Sequence, residues 1–189
     1  LDFAPITLLI RAPNVLVVKS DSPLKSVQDL ITLGKQKNQV VHFATSGPGS
    51  AQHLAGELFN ALAGTHLESV HYKGGNAAIM DVISGQVPVM FSSIALALQN
   101  VKGGKLRMLG VGGEKRSPKA PDVPTIAEAG VPGYDMSTWN GFVGPANMDA
   151  AIVKQLNTVV QQTLADPAIR KKLSDQGVDI VSGSADDFG

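Results

Sequence analysis

Residues Thr45-Ser46-Gly47-Pro48-Gly49-Ser50 bring three hydroxyls and two glycines together, directly after an apolar run of Val40, Val41 and Phe43. Behind them Ala51, Leu54, Ala55, Leu58, Phe59 and Leu62 follow the i, i+3, i+4, i+7 spacing of a helix with one buried face. A strand that empties through a Ser/Thr/Gly turn onto a helix start is suited to holding an anion. The first amides of the helix lack internal acceptors, and the helix dipole places partial positive charge there. The hydroxyls of Thr45, Ser46 and Ser50 would add donors, while Gly47 and Gly49 would let a ligand approach the backbone. Pro48 has no N–H and is excluded as a donor. The same residues also suit a plainer arrangement, in which Ser50 is an N-cap and the glycines only close a tight turn. Local chemistry leaves both open.

Other side chains carry comparable pairs of readings. Lys73, ahead of Gly74-Gly75, would neutralise a second anionic group, or it is a solvated loop residue. His53 lies near enough to the turn to touch a ligand, or it is a structural histidine. Trp139, the single tryptophan, either lines a cleft or packs in a core. His42, His66 and His71 show no metal-ligand spacing with one another or with paired acids, so neither a metal nor another cofactor is expected. Ser46-Gly47-Pro48-Gly49 is not a G-x-S-x-G nucleophile elbow, and Gly-Pro-Gly-Ser lacks the Gly-Lys-Ser/Thr of a phosphate-binding loop. Ser50 and His53 are a helical turn apart, but no acid is evidently placed to orient the imidazole. An enzyme is not expected.

Composition narrows the classes further. Sixteen basic and sixteen acidic side chains cancel over 189 residues, so no bulk field recruits nucleic acid or an acidic membrane. Aromatic residues make up only 5%, which argues against a base-stacking surface. Lys102, Lys105, Arg107, Lys115, Arg116 and Lys119 have no interleaved aromatics and suit a solvated face or a docking surface. Without cysteine there are no disulfides and no thiolate chemistry. No apolar run approaches the ~20 residues of a membrane span. The start on Leu1-Asp2-Phe3 and the interrupted helix signal Ser184-Ala185-Asp186-Asp187-Phe188 suggest an internal piece of a longer protein.

The elements that must position these residues alternate. Apolar runs at 6–10 and 15–18 suit two buried strands, with Pro13 marking a kink or crossing between them. Ser26 and Asp29 form a capping box for a helix over Val27, Leu30 and Ile31 that fades near Lys37. After the central strand, turn and helix come a short strand at Val70–Tyr72, then a helix over Ile79, Val82 and Ile83 closed by Gly85. A strand at Val87–Phe91 requires Pro88 at an end or edge, and Ser92-Ser93 then caps a helix through Val101. Leu106–Val111 is the next strand, Thr125 with Glu128 caps a short helix closed by Gly130, and Met136–Val143 is β-like. Asp149 and Asp166-Pro167 open two further helices, the first with an apolar face of Ile152, Leu156, Val159 and Val160, and Val178–Val181 is a last strand. Strand–helix alternation calls for an α/β fold with a mostly parallel sheet flanked by helices. Ligands of such sheets sit outside the carboxyl ends of the strands. By that rule the turns at 45–50, 72–76 and 91–93 share one rim.

The stretches PNVLVVKSDSPLKSVQDLI, FATSGPGSAQHLAGELF, HYKGGNAAIMDVISGQVPVMF and EKRSPKAPDVPTIAEAGVPGYDMSTWNGFVGPA, in this order, resemble the substrate-binding proteins of tripartite tricarboxylate transporters, the TctC or Bug family. The resemblance runs from the first residue to the last. It implies a type II periplasmic binding protein with two α/β lobes that close like a flytrap over a small carboxylate. Residues 14–134 would be lobe two, and 1–13 with 135–189 a remnant of an incomplete lobe one. The turn Thr45–Ser50 would hold a ligand carboxylate, with Gln52 of the following helical turn beside it. Ser92 stands where relatives often carry Asp, so a plain carboxylic or dicarboxylic acid is expected rather than an amino acid. The implied role is a periplasmic solute receptor that delivers its ligand to the membrane subunits of the transporter. An effector-binding domain of a LysR-type regulator, which shares the two-lobed architecture, is the alternative.

Overall fold

The computed structural model describes residues 2–36 and 38–188. Lys37, where the first helix was expected to fade, lies outside the described residues, as do Leu1 and Gly189. The chain divides into two compact units, Pro13–Ser137 and Leu1–Ala12 with Thr138–Gly189.

The larger unit is built on strands β1 (Phe3–Lys19, from Pro13 onward), β2 (Val41–Thr45), β3 (Leu67–His71), β4 (Val89–Ser93) and β5 (Leu106–Val111). Their order is β3-β2-β4-β1-β5. β2 runs parallel to β3 and to β4, whereas β1 is antiparallel to both β4 and β5. Four strands therefore share one direction and β1 runs against them, a mixed sheet by pairing.

Helices cover both faces. α1 (Val27–Gly34) and α2 (Ala51–Ala63) bury Leu30, Ile31, Phe59 and Ala63 with Leu16, Val18, Phe43 and Phe91 in one cluster. α3 (Gly75–Ser84) and α4 (Ile94–Lys102) bury Ile79, Val82, Ile94 and Leu98 with Val15, Val17 and Met90 in the other. The four β1 residues Val15–Val18 are wholly buried and alternate between the two clusters, as the period of two of a strand demands. Phe43, Phe59, Phe91 and Tyr134 meet at centroid distances of 5.5–6.5 Å in mostly edge or tilted arrangements.

Several boundaries differ from the sequence-based expectation. The apolar runs at 6–10 and 15–18 form one continuous strand, and the division between the units falls within it, at Ala12/Pro13. β3 begins at Leu67, because Asn60 of α2 recruits it: the Asn60 side-chain amide donates to the Leu67 carbonyl and accepts the Leu67 amide, both at 2.9 Å. α1 ends at Gly34. The capping pair Thr125 and Glu128 is present, but it closes a single hydrogen-bonded turn, not a helix. On α2 the buried stripe is Ala55, Gly56, Phe59 and Ala63, while Leu54 and Leu62 are exposed. The absent side chain of Gly56 explains the shift, since a β-carbon there would stand 2.2 Å from the Phe43 ring. The helix settles onto the sheet along that line.

The smaller unit contains β6 (Ser137–Pro145, from Thr138), α5 (Ala150–Ala165), α6 (Pro167–Asp175), β7 (Asp179–Ile180) and α7 (Ala185–Phe188), with β6 and β7 paired to β1. Asp149 and Asp166 cap α5 and α6 as expected. Its burial is sparse: Ile6, Leu164 and Val178 are its buried hydrophobic residues among those described. The α5 residues Ile152, Leu156 and Val159 are 40–53% exposed, so the apolar face expected for that helix is uncovered.

Candidate functional site

Because β3, β2 and β4 are adjacent and parallel, their carboxyl ends deliver three turns to one rim of the larger unit. The first two follow Thr45 and His71, and the third is the direct junction of β4 with α4 at Ser93/Ile94. Contacts tie the first two together. The Tyr72 amide donates to the Thr45 carbonyl at 3.0 Å, and Gln52 Nε2 lies 3.7 Å from where a β-carbon on Gly75 would stand.

Within the central turn, Gly47 and Gly49 adopt φ of 133° and 73°, a region that side chains disfavour. Ser50 caps α2: its hydroxyl accepts the His53 amide at 3.3 Å and its carbonyl accepts the Leu54 amide at 2.9 Å. Ala51 and Gln52, the first two residues of the helix, have no hydrogen-bond acceptor for their amides among the described residues. Pro48 donates nothing, as expected. Thr45 is fully buried, accepts the Gly47 amide at 3.2 Å and sits 2.7 Å from His71 Nδ1. The Ser46 hydroxyl donates to Gln52 Oε1 at 2.6 Å, which leaves the Gln52 NH2 pointing onward as a donor. Gly49 donates its amide to His53 Nδ1 at 3.1 Å.

The turn residues, Gln52 and His53 therefore form one hydrogen-bonded cluster. Lys73 is exposed on the neighbouring turn and has no ion-pair partner among the described residues. Ser92 is fully buried and its hydroxyl donates to the Ser93 carbonyl at 3.2 Å, so Ser93 alone is the N-cap of α4 and makes no side-chain capping bond. Trp139 belongs to the smaller unit, where it is 60% exposed, packs edge-on against Phe188 at 5.6 Å and lines a cavity of ≈ 450 Å³ with Phe3, Leu8 and Val143. Core packing of Trp139 is thereby excluded.

Sequence reasoning missed two participants. His71 showed no useful spacing, yet it abuts Thr45 because parallel β2 and β3 end level with each other, Thr45 opposite His71. Asn14 begins β1 within the larger unit, opposite Ser93 of β4 at the same rim. It is 1% exposed, and among the described residues its Nδ2 is the buried side-chain polar atom without a hydrogen-bond partner. Neither pairing is local in sequence.

Several other ionisable groups brace the structure. Tyr72 donates to Asp81 at 2.7 Å, and burial together with that bond pushes its hydroxyl up to about 12, so the donor keeps its proton. In the basic group, Arg107 donates to the carbonyls of Ser20, Ser22 and Leu24, and Arg116 pairs with Glu128 at 2.8 Å. The Thr125 amide, followed by Arg116, holds the Glu128 carboxyl below the usual range. Those two cations brace loops.

Residues 1–189 match the family described as "Tripartite tricarboxylate transporter family receptor". A Pseudomonas sp. (strain P51) protein, the UPF0065 protein in the tcbD-tcbE intergenic region, is 34% identical over 184 residues, 97% of this chain and 55% of that protein. Among solved structures, R. palustris Rpa4515 with adipate superposes with a TM-score of 0.90 at 34% identity, covering 99% of this chain and 62% of the other. MatC (Rpa3494) from Rhodopseudomonas palustris with bound malate gives 0.84 at 29% identity, covering 94% and 60%. The chain spans about half the length of the curated relatives it matches.

Proposed function

Because this chain belongs to the tripartite tricarboxylate transporter receptor family, whose members are solute-binding proteins and not enzymes, we propose that it is the carboxylate-cradling part of an extracytoplasmic receptor. Its ligand is a small organic acid with one or two carboxylates, the class to which the adipate and malate held by its structural relatives belong. One carboxylate sits at the turn Thr45–Ser50. The observation that supports this is the set of unanswered donors there: the Ala51 and Gln52 amides, the Ser50 hydroxyl proton and the Gln52 NH2, all at the positive end of a 13-residue helix. Gly47 and Gly49 keep the approach to the backbone free of side chains. Lys73 on the adjoining turn adds positive charge to the ligand's surroundings, and buried Ser92 leaves the rim without the anion that an amino-acid ammonium would need.

In the whole protein the receptor works in the periplasm and hands its ligand to the membrane subunits of a tripartite transporter. Binding shifts an open-to-closed equilibrium by favouring the closed state.

The test is titration calorimetry of the intact gene product with a panel of organic acids that includes adipate and malate. Ser50→Gly retains the cap conformation, at a cost of only a few tenths of a kcal/mol in stability, and removes the hydroxyl. Loss of a hydrogen bond to a charged group is worth about 1.5–3 kcal/mol, so affinity should fall by roughly one to two orders of magnitude. An unchanged dissociation constant would move the carboxylate away from this turn.

A further inference from the structure

Two histidines close on the turn, and each ties up one of its donors. His53 Nδ1 accepts the Gly49 amide at 3.1 Å. His71 Nδ1 lies 2.7 Å from Thr45 Oγ1, which already accepts the Gly47 amide. The two rings meet edge to face with centroids 5.0 Å apart. Their outer nitrogens face Glu57 (His53 Nε2 to Oε1, 3.7 Å) and Ser69 (His71 Nε2 to Oγ, 3.4 Å).

The bonding constrains the protons. A backbone amide only donates, so His53 Nδ1 presents a lone pair and its proton is on Nε2, toward Glu57. With the His71 proton likewise on Nε2, the Thr45 hydroxyl must spend its single proton on His71 Nδ1. Both donors are then consumed inside the protein. Adding a proton to His53 turns Nδ1 into a donor, which evicts the Gly49 amide and leaves both N–H groups facing outward. Adding a proton to His71 makes Nδ1–H donate to Thr45 Oγ1. The two lone pairs of that hydroxyl are then filled, by Nδ1–H and by the Gly47 amide, and its own proton is released. At His53 the turn gains the freed Gly49 amide and a positive charge, the two things a carboxylate needs; at His71, whose partner Thr45 is fully buried, it gains the charge.

We propose that His53 and His71 are positioning residues that couple carboxylate binding to uptake of a proton. This rests on the cradle at Thr45–Ser50 and goes beyond it by making affinity depend on pH. Two imidazolium rings at this separation repel, so the pair takes up about one proton, not two. Glu57, on α2, lies 3.7 Å from His53 Nε2, and Lys73 is exposed on the turn after β3. His42 and Glu68 pair with each other across β2 and β3 at positions that alternate to the opposite face, and Asp81 of α3 is bound to the Tyr72 hydroxyl.

The experiment is calorimetric titration of the intact gene product with adipate, in buffers of differing ionisation heat, between about pH 6 and 8 where imidazoles titrate. Adipate's carboxyls titrate mostly below this window, the second somewhat above the ordinary carboxylate range of about 4 to 5, and its residual protonation at the acid end is subtracted from the measured uptake. Wild type should take up a fraction of a proton approaching one, and its affinity should rise as pH falls, at most about tenfold per pH unit. His53→Asn together with His71→Asn places amides that cannot take up a proton, so binding should stay near the weak, alkaline value at every pH with no proton uptake. PH-independent wild-type binding, or a pH dependence that persists in the double variant, overturns the histidine coupling and leaves the cradle standing. A wild-type protein that binds neither adipate nor any other organic acid removes the cradle, and the coupling with it.

Discussion

A methyl group on Gly56 would have no room. Its β-carbon would lie 2.2–2.8 Å from three atoms of the Phe43 ring, and Phe43 is itself wedged edge-on against Phe91. Gly56→Ala should therefore destabilise the larger unit by about 1–3 kcal/mol through overpacking, although alanine is the better helix former. Urea unfolding followed by circular dichroism measures this, and an unchanged midpoint would show that α2 can lift off the sheet at no cost. Gly49 differs in kind: nothing lies within 4 Å of its missing side chain, and only the φ of 73° requires glycine. At this scale the sequence displayed the hydroxyls, the cap and the glycines of the turn, because those are local. It did not display that Thr45 faces inward to His71, since that depends on which strands lie side by side.

Elements were legible where their signals are contiguous: the caps Ser26, Ser50, Asp149 and Asp166 and the terminator Gly85 all act as expected. They misled where a tertiary contact outweighs periodicity. Leu54 and Leu62 fit the apolar stripe of α2, but Gly56 decides which side touches the sheet. The early start of β3 comes from Asn60, a helix residue whose amide imitates a neighbouring strand by bonding both polar groups of Leu67 and also accepting the Thr65 hydroxyl. Asn60→Ala removes three bonds at the α2–β3 corner. It should cost about 2 kcal/mol and selectively speed amide exchange at Leu67, as seen by hydrogen-exchange mass spectrometry. Uniform exchange across β3 would mean that the corner is held by Leu67 packing alone.

For the molecule as a whole, strand–helix alternation pointed to the α/β class, but it could not reveal that β1 enters the sheet backwards between β4 and β5, because those pairings span most of the unit. The two units are unequal. The larger has two clusters of wholly buried side chains, while the smaller leaves Phe3, Trp139, Phe142 and Val143 at least half exposed. Less buried apolar area means less stability to offset chain entropy. Trp139, the single tryptophan, lies in the smaller unit. Its fluorescence should accordingly change at a lower urea concentration than the far-ultraviolet circular dichroism signal, which the larger unit dominates. Coincident transitions would show instead that the units unfold as one.

The reversed placement of β1 also bears on how the chain is made. Val15 is paired to Ser92 on one side and to Val111 on the other, so the strand at the heart of the sheet emerges from the ribosome long before either neighbour exists. At roughly 5–20 residues per second, several seconds of synthesis separate them. Throughout that interval Val15-Leu16-Val17-Val18 is an apolar ribbon with both edges bare, the kind of segment that holding chaperones shield and that pairs with other nascent chains when they do not. β2 and β3, by contrast, can zip together with α2 as soon as they appear. The turn at 45–50 is thus assembled early, and the sheet beneath it is completed last.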